Sequence, residues 1–546
     1  MSKELPPMTS LWGMLAKPAP RPHNDPSLWN LLADPNTVTP GGPDDPARPS
    51  AVYFNERSFY WAMRNIPEKY ATQNMLVCGI VGSGKTTVLQ LFLQSIAQRF
   101  HPDRVRPEQL IVFDAKGDAL PRLAALGLHE GQENFWVMNP ADVRSAEWSL
   151  GDAAQTPLMA RQIAALLVPE EKNSSAPYFT DAARELVLAV IFALTGTMRC
   201  NWTFRDLICA LDSKATILAT TKRHPRARVI VERIFADERH AFGALSTLGT
   251  KLGPFEQVAA LWHSGRKRER FSVAEFLSKS GVLVLGNDPA LKDSLWPVNA
   301  ILLKALTQEI LRGPETQRPR HWFLLDEFPA MNRVECIHDL LNRGRSKGAS
   351  VALGFQSIEG LSNTYGENTA NEIMGQCAHK TFLRAGSPKT AAWAESYFGK
   401  VRQVETTVSE SYSWSGGHTV SYNRNRQERS AFLASTFLDL PLPALGGTLA
   451  SINDVPSYGT CFINSHLFDH VLSMCVPAEK VPAFQPRPDP SDQNLKPWSA
   501  KEVELYCKDA DAGSDPSKPA RKPRRKASDF PTRRQGNPPP ESSENS

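Results

Sequence analysis

The sequence has 546 residues, of which 41% are hydrophobic and 22% charged, the balance of a soluble globular protein. One core rarely serves a chain of this length, so two or three domains are expected. The net charge of +5 permits contact with nucleic acid without indicating it. No pair among the eight cysteines has C-x-x-C spacing, which excludes a zinc knuckle and a redox pair and favours a reducing compartment.

The two ends of the chain differ in composition from its middle. Residues 1–50 are rich in Pro, Asp and Asn and predict an irregular arm without the apolar core of a signal peptide. The tail 510–546 is basic and Pro-rich, with almost nothing to bury, and is expected to be disordered. Before it, SAKE at 499–502 has the form of a capping box and predicts a short helix within 491–509. The longest apolar run, residues 186–194, is well short of the ~20 residues that a membrane-spanning helix needs, so no transmembrane segment is expected.

Between the ends, short apolar runs alternate with helical patterns. Continuous rather than alternating apolar strands are typical of a parallel sheet covered by helices on both faces. We therefore predict an α/β fold with a mostly parallel sheet, formed by residues 51–155 and 275–490. Residues 156–274 show helical patterns without a convincing strand and are predicted to form an inserted all-α domain. The predicted strands are 75–79, 110–114, 134–138, 282–286, 322–326, 350–355, 381–385 and 460–464.

GIVGSGKT at 79–86 matches G-x-x-x-x-G-K-[ST], with an apolar strand before it and an amphipathic helix after it. In this motif glycines let backbone N–H groups turn towards phosphate oxygens, and the helix N-terminus adds partial positive charge. Lys85 is expected to reach the β- and γ-phosphates of ATP, and Thr86 to ligate Mg²⁺. The alternative is a glycine-rich turn between strand and helix. The predicted ATP-binding residues are Gly79, Ile80, Val81, Gly82, Ser83, Gly84, Lys85, Thr86 and Thr87.

A second segment supplies the acids that hydrolysis needs. In WFLLDEF, residues 322–328, four apolar residues end on Asp326, and Glu327 follows. Asp326 is predicted to lie in the second coordination shell of Mg²⁺, and Glu327 to polarise the attacking water. The alternative is an acidic pair that ends a strand at the edge of the sheet.

Other polar residues also follow apolar strands directly. Ligands bind at the carboxyl ends of parallel strands, so Gln356 is expected to meet Gly79 and Asp326 at one edge and to contact the γ-phosphate or the attacking water. A strand-capping amide is the alternative. Asp114 and Lys116 follow another strand, and for them a structural or nucleotide-adjacent ion pair and a catalytic contribution both stay open.

The order of these segments resembles one family: the coupling proteins of type IV secretion and bacterial conjugation, RecA-like ATPases related to FtsK/HerA-type DNA pumps. GIVGSGKT is followed by VFDAKGD, by MNPADVRSAEWSL and by PYFTDAARELV. LLDEFPAMNRV, GRSKGASVALGFQS, LSNTYGENTANEIMGQC and RAGSPKTAAWAESYFGK then follow in the family's order. The similarity covers roughly residues 70–470.

The resemblance implies a RecA-like P-loop NTPase with an inserted all-α domain, the architecture that the strand and helix patterns also predict. Members assemble as hexameric rings on DNA and link relaxase-bound single-stranded DNA, or protein substrates, to the secretion channel. In such rings an arginine of one subunit completes the neighbour's nucleotide site. Arg345 resembles that arginine, with Arg343 as the fallback. The alternative for Arg345 is a solvated loop arginine.

The family usually has an N-terminal membrane anchor, whereas no such segment is predicted here. We therefore expect a protein of the bacterial cytoplasm, held at the cytoplasmic face of the inner membrane through a partner, or else a soluble variant.

Two basic stretches are candidates for contact with DNA phosphates, the tail and GRKRER at 265–270. A solvated charged loop is the alternative for 265–270, and a solubilising linker or a docking segment for the tail. The expected function is an ATP-hydrolysing coupling protein that recruits or pumps conjugative DNA. A coupling ATPase for protein substrates and a nucleotide-gated scaffold at the channel base are the alternatives. The candidate DNA contacts within 265–270 are Arg266, Lys267, Arg268 and Arg270.

Overall fold

The structure is a computed structural model that describes residues 57–61, 64–170, 177–263, 270–288, 290–412, 418–443, 449–457, 459–463 and 475–507. The arm predicted at 1–50 and the tail predicted at 510–546 lie outside these residues.

Within the described residues, strands alternate with helices along the chain. In order, the strands are β1 (Ser58–Trp61), β2 (Arg64–Pro67), β3 (Met75–Cys78), β4 (Gln109–Asp114), β5 (Phe135–Met138), β6 (Glu147–Trp148), β7 (Arg270–Phe271), β8 (Gly281–Gly286), β9 (Thr316–Leu325), β10 (Lys347–Phe355), β11 (His379–Phe382), β12 (Lys400–Tyr412), β13 (His418–Ser430), β14 (Ser451–Val455) and β15 (Gly459–Ile463). The α-helices are α1 (Lys85–Ile96), α2 (Ala119–Ala125), α3 (Leu150–Ala153), α4 (Pro157–Leu167), α5 (Pro177–Met198), α6 (Phe204–Ala210), α7 (Lys214–Thr221), α8 (Pro225–Phe235), α9 (Glu238–His263), α10 (Val273–Ser278), α11 (Lys292–Arg312), α12 (Cys336–Arg343), α13 (Ile358–Tyr365), α14 (Glu367–Gly375), α15 (Pro388–Phe398), α16 (Ala434–Asp439) and α17 (Ala500–Cys507).

The central sheet has the spatial order β15-β14-β11-β3-β10-β9-β4-β8-β5. Neighbouring strands from β11 to β5 are parallel, whereas β14 and β15 pair antiparallel at one edge. The predicted α/β fold with a mostly parallel sheet is therefore confirmed. Because β3, β10, β9 and β4 lie side by side, the segments that follow these four strands meet at one edge of the sheet.

Each face of the sheet has its own hydrophobic core. Successive side chains of a strand point to opposite faces. In β3, Met75 and Val77 pack with α1 and the β1–β2 hairpin, whereas Leu76 and Cys78 pack with the helices of the other face. All residues of β3 are buried. Burial on both faces is why such strands are unbroken apolar runs in the sequence.

A helical region, α4 to α9, lies between β6 and β7. These two short strands pair in parallel through Glu147–Arg270 and Trp148–Phe271, so the chain enters and leaves the helical region at neighbouring positions. The central helix α5 is buried at nearly every residue from 186 to 194 and packs against α4, α8 and α9. Across the described ranges, no helix combines the length and apolar character needed to cross a bilayer. The helices fall within the predicted insertion, whose domain boundaries 156–274 stay a prediction.

The structure adds elements that the sequence patterns did not predict. The β1–β2 hairpin buries Phe59, Tyr60 and Trp61 under α1. Strand β14 has a polar sequence, yet Asn453 is fully buried, and its amide nitrogen donates to Ser451 Oγ at 2.9 Å. A polar side chain with a local hydrogen bond of this kind can be buried, so a search for apolar runs does not find such a strand. Strands β12 and β13 form a long antiparallel hairpin that pairs Lys400 with Ser430 at one end and Tyr412 with His418 at the other.

Candidate functional site

The glycine-rich loop 79–84 joins β3 to α1 at the shared edge of the sheet. Neighbouring segments hold its first two residues. The N–H of Gly79 donates to the carbonyl of Phe355 at 3.2 Å, and the N–H of Ile80 to that of Arg384 at 3.0 Å. Lys85 is buried and folds back over the loop, with its Nζ donating to the Gly79 carbonyl at 2.7 Å. The lysine therefore lies inside the loop that precedes its own helix.

Two glycines of the motif are required by the fold itself. Gly84 has φ of +101°, and a Cβ at this position would lie 2.3 Å from Leu449 Cδ1. A Cβ on Gly79 would lie 2.6 Å from both Leu383 Cβ and Ser83 Oγ. A side chain at Gly84 would thus meet both backbone strain and overlap, and one at Gly79 would meet overlap. The loop can turn its backbone inward only with glycine at these positions.

Burial lowers the pKa of the Lys85 ammonium, and the carboxylates of Glu327 and Asp326 oppose that shift. Loss of water around a cation disfavours its charged form, whereas nearby negative charge favours it. A phosphate group entering the loop would add negative charge next to this ammonium. The electrostatics of the loop are therefore complementary to a polyphosphate.

An ammonium bridges the two groups predicted to hold magnesium. Lys116 Nζ lies 2.9 Å from Thr86 Oγ1 and 3.0 Å from Asp326 Oδ2. The other oxygen of Asp326, Oδ1, is buried without a hydrogen-bond partner among the described residues. A hydroxyl and a carboxylate are hard donors of the kind that Mg²⁺ prefers. One oxygen of each already contacts a cation, and Oδ1 of Asp326 stays available. These residues fit a magnesium ion.

The described part of the chain has no group of three or more His, Cys, Asp or Glu side chains that would cage a metal by itself. Magnesium in phosphate-transfer sites is usually held by one or two protein groups together with phosphate oxygens and water. The pair Thr86 and Asp326 agrees with that kind of site.

Glu327 and Gln356 contact each other at the same edge. Strands β9 and β10 pair with Leu325 opposite Leu353, so the residues that follow them are neighbours. Gln356 Nε2 donates to Glu327 Oε2 at 2.9 Å. Glu327 has φ of 57° and ψ of 49°, a left-handed conformation that residues with side chains rarely adopt. The structure thus brings together Glu327, predicted to polarise the attacking water, and Gln356, predicted to contact that water or the γ-phosphate.

Asp114 has a different position from Lys116. Its carboxylate accepts hydrogen bonds from the N–H groups of Asp118 at 3.0 Å and Ala119 at 3.2 Å, at the start of α2. Burial raises the pKa of Asp114, and these hydrogen bonds oppose the rise. The ion pair considered for Asp114 and Lys116 is not the one observed, because Lys116 pairs with Asp326. Asp114 instead fixes the loop that carries Lys116.

Arg345 and Arg343 lie at the opposite end of β10 from Gln356. Arg343 ends α12, and Arg345 lies in the 3-10 turn Gly344–Ser346; both are exposed. Strand β10 has nine residues, which at about 3.3 Å per residue separates its ends by roughly 30 Å. Arg345 is therefore far from the nucleotide site of its own chain.

Three of the four residues considered for DNA contact, Arg266, Lys267 and Arg268, lie outside the described residues. The fourth, Arg270, is exposed on β7, and its Nε lies 3.9 Å from Glu147 Oε2. This carboxylate neutralises part of the positive charge at that point.

The residues that support the phosphate loop from the side were not among the predicted site residues. Leu449 packs under Gly84, Leu383 lies beside Gly79, and the carbonyl of Arg384 accepts from the loop. Leu383 and Arg384 belong to the predicted strand 381–385, and the rule that parallel strands end at one edge was the available signal for them. No local pattern distinguishes Leu449.

Comparison with known proteins identifies a family. A family model for the DNA-binding domain of type IV secretion-system coupling proteins matches residues 61–460. The coupling protein TraD of Escherichia coli (strain K12) is 23% identical over 350 residues, which cover 63% of this chain and 46% of TraD. The type IV secretion system-coupling protein VirD4 of Bartonella quintana (strain Toulouse) is 22% identical over 357 residues, which cover 60% of this chain and 54% of VirD4. The chain spans about half the length of these curated relatives.

Solved structures of the coupling protein TrwB share the fold. The trigonal form of TrwBdeltaN70 in complex with sulphate has a TM-score of 0.59 at 18% identity, covering 80% of this chain and 94% of that one. TrwB in complex with ADP and Mg²⁺ has a TM-score of 0.57 at 19% identity, covering 80% and 93%. At this level of identity the likeness concerns the fold. The family match over residues 61–460 shows that this chain belongs to the type IV secretion-system coupling proteins.

Proposed function

We propose that this chain is a P-loop ATPase that couples ATP hydrolysis to the delivery of conjugative DNA to a type IV secretion channel. The observation that carries the proposal is the meeting of loop 79–84, Asp326, Glu327 and Gln356 at one edge of the sheet. The TrwB structures in complex with ADP and Mg²⁺ and with a non-hydrolysable ATP analogue support a nucleotide as the ligand. The description of the matching family model as a DNA-binding domain supports DNA as the cargo.

In the proposed reaction, Lys85 exchanges the Gly79 carbonyl for the β- and γ-phosphates of ATP. A Mg²⁺ ion held by Thr86 and Asp326 supplies positive charge against the phosphates when bound. Glu327 polarises the attacking water as a general base. Gln356, whose amide donates to Glu327 at 2.9 Å, keeps that carboxylate oriented.

Arg345 is proposed to act on the nucleotide site of a neighbouring subunit. Its distance of roughly 30 Å from its own site, by strand rise, supports this role over one within the same chain. A guanidinium placed against the developing charge of the γ-phosphate raises turnover by roughly 10³–10⁵-fold in related nucleotide hydrolases. The proposed assembly is therefore a ring, with six subunits as the family resemblance implies.

The proposed partners are relaxase-bound single-stranded DNA and the components of the secretion channel. The basic residues Arg266, Lys267, Arg268 and Arg270 are proposed to contact DNA phosphates. The proposed location is the bacterial cytoplasm, at the cytoplasmic face of the inner membrane, with a partner as the membrane tether. Protein substrates instead of DNA, or a nucleotide-gated scaffold without turnover, are outcomes that the following experiment separates.

The test measures ATP turnover and oligomeric size with and without single-stranded DNA, in wild type, Lys85→Ala and Arg345→Ala. We expect DNA to stimulate wild-type turnover and ring assembly, because the ring would complete each site with its neighbour's arginine. Lys85→Ala should lose turnover, and Arg345→Ala should lose turnover while still binding nucleotide.

Arg343→Ala tests the fallback arginine, which is exposed beside the same turn. It should keep turnover, and a loss of turnover in Arg343→Ala but not in Arg345→Ala would assign the role to Arg343. Mixing Lys85→Ala with Arg345→Ala should restore part of the turnover, because some interfaces then combine two intact halves. Turnover that persists in Lys85→Ala contradicts the site. DNA-independent turnover without DNA binding favours protein substrates, and absent turnover with intact nucleotide binding favours the scaffold.

A further inference from the structure

Lys116 has no part in the proposed reaction, yet its ammonium lies at the centre of the site. Its Nζ is 2.9 Å from Thr86 Oγ1 and 3.0 Å from Asp326 Oδ2. These are the oxygens assigned to the metal. Mg²⁺ prefers the same kind of oxygen donors, so an ion held by these two groups would compete with the ammonium for them.

The ammonium and the metal exclude each other from this position. Two cations this close repel strongly, and more so in a half-buried site than in open water. Asp326 is mostly shielded from solvent, with 18% of its side chain exposed. The lysine must therefore leave before the metal binds.

The backbone around Lys116 is anchored, whereas its side chain has room to move. The Asp114 carboxylate accepts from the N–H groups of Asp118 and Ala119 and so fixes both ends of the loop. The Lys116 side chain is 42% exposed, and its stem of four carbons is flexible. A cavity of about 40 Å³, lined in part by Lys116, Asp114 and Asp118, adjoins it.

Resting on the proposed function, we propose that Lys116 is a stand-in cation, which occupies the magnesium position between Thr86 and Asp326 until a magnesium–nucleotide complex displaces it. Two consequences of opposite sign follow. Lys116 competes with Mg²⁺, so its removal strengthens the binding of the magnesium complex. Lys116 is also the cation that would face the phosphates when no metal is present, so its removal weakens the binding of metal-free nucleotide.

The test measures the dissociation constant of ADP for wild type and Lys116→Met by calorimetry, once with excess Mg²⁺ and once with a chelator. For a half-exposed ion pair we expect Lys116→Met to bind Mg²⁺–ADP roughly threefold to tenfold more tightly, and metal-free ADP more weakly by a similar factor. Lys279→Met is the matched control. Lys279 is 49% exposed and pairs with Glu133 at 2.6 Å outside the site, so both constants should stay at the wild-type values.

A second measurement needs no nucleotide. Mg²⁺ alone should raise the thermal midpoint of Lys116→Met at lower concentration than that of wild type, because the oxygens of Thr86 and Asp326 no longer face an ammonium. A variant that binds both forms of ADP more weakly overturns the inference and assigns Lys116 a phosphate-binding role. Wild-type protein that binds no ADP would overturn the proposed function and this inference together, whereas equal ADP binding by wild type and Lys116→Met overturns the inference alone.

Discussion

At the scale of single residues, the site combines a strained backbone with a hydrogen-bonded acid. Glu327 takes a left-handed conformation, with φ of 57° and ψ of 49°, two residues after the end of strand β9. For an L-residue this conformation costs about 1–2 kcal/mol, and it persists only where the surrounding structure enforces it. Here the turn places the Glu327 carboxylate against the Gln356 amide. The strain is therefore linked to the position of the proposed general base.

Replacing Glu327 with glycine should separate stability from activity. We expect Glu327→Gly to raise the free energy of unfolding by up to about 1 kcal/mol, because glycine adopts the left-handed conformation without strain, and to abolish ATP turnover because the base is lost. Denaturant unfolding and a turnover assay measure the two effects. Glu327→Gln is the control, which keeps the strain and loses only the charge, so it should lose turnover without gaining stability. A Glu327→Gly protein clearly less stable than wild type would contradict the assignment of strain.

At the scale of elements, the sheet buries two histidines that stay neutral at neutral pH. His379 begins β11, is fully buried, and pairs its Nε2 with the carbonyl of Tyr70 at 2.9 Å. Burial lowers the pKa of His379 to about 4, although its hydrogen bond to Tyr70 and the charge of Asp454 oppose the shift. His321 in β9 is buried in the same way, with its pKa lowered to about 4. The central sheet is therefore sensitive to acid.

The pH dependence of stability follows from the sign of these shifts. The unfolded chain protonates each histidine near its ordinary pKa of about 6.5, before the folded protein does, so stability is complete above that pH and is lost as the pH falls towards 4. Urea unfolding at several pH values should show this loss. His379→Gln should reduce the slope of the free energy of unfolding against pH by up to about 1.4 kcal/mol per pH unit, which corresponds to one proton. His129→Gln, at an exposed position, is the control, and an unchanged slope in His379→Gln would exclude His379 as a contributor.

At the scale of the whole molecule, one C-terminal segment connects the phosphate-loop helix with the helical region. We call residues 475–507 the C-terminal strap. It first contacts α1, where Gln90 Nε2 donates to the carbonyl of Val476 at 2.7 Å. It ends beside α6, where the Arg205 guanidinium donates to the carbonyls of Lys496 and Pro497 and to Glu502 at 2.6–2.7 Å. The strap therefore couples the position of the helical region to the helix that begins at Lys85.

The end of the strap forms as its sequence predicts. Helix α17 begins after Ser499, and the Ser499 N–H donates to Glu502 Oε2 at 2.6 Å in the predicted capping box. The hydrogen bond from Arg205 lowers the pKa of Glu502 to about 2. The Glu502 carboxylate thus accepts a hydrogen bond at the start of α17 and pairs with Arg205 of α6.

Removal of Arg205 should release the strap. Only 3% of its side chain is exposed, and its loss removes the guanidinium donor from the carbonyls of Lys496 and Pro497 and the positive partner of Glu502. We expect Arg205→Ala to lower the free energy of unfolding by about 3 kcal/mol and to increase hydrogen exchange in α17. Arg161→Ala is the matched control, since Arg161 is 54% exposed and pairs with Glu185 at 3.6 Å, and it should cost less than about 1 kcal/mol. Equal effects of the two variants would show that the strap does not depend on Arg205.

Local patterns in the sequence determined much of the fold and part of the site. Buried strands appear as apolar runs because both of their faces are covered, and the phosphate loop is recognisable because its glycines and lysine occur at fixed spacing between a strand and a helix. The rule that parallel strands end at one edge was enough to expect Gly79, Asp326 and Gln356 together. The mostly parallel sheet and the membership of the family follow from these features.

Only the tertiary structure decided which side chains pair across that edge. It placed β10 between β3 and β9, joined Lys116 to Asp326 rather than to Asp114, and packed Leu449 under Gly84. It also brought the C-terminal strap back to α1 and α6. These contacts join residues up to several hundred positions apart. Strand order, register and side-chain burial determine such contacts, and no local spacing in the sequence records them.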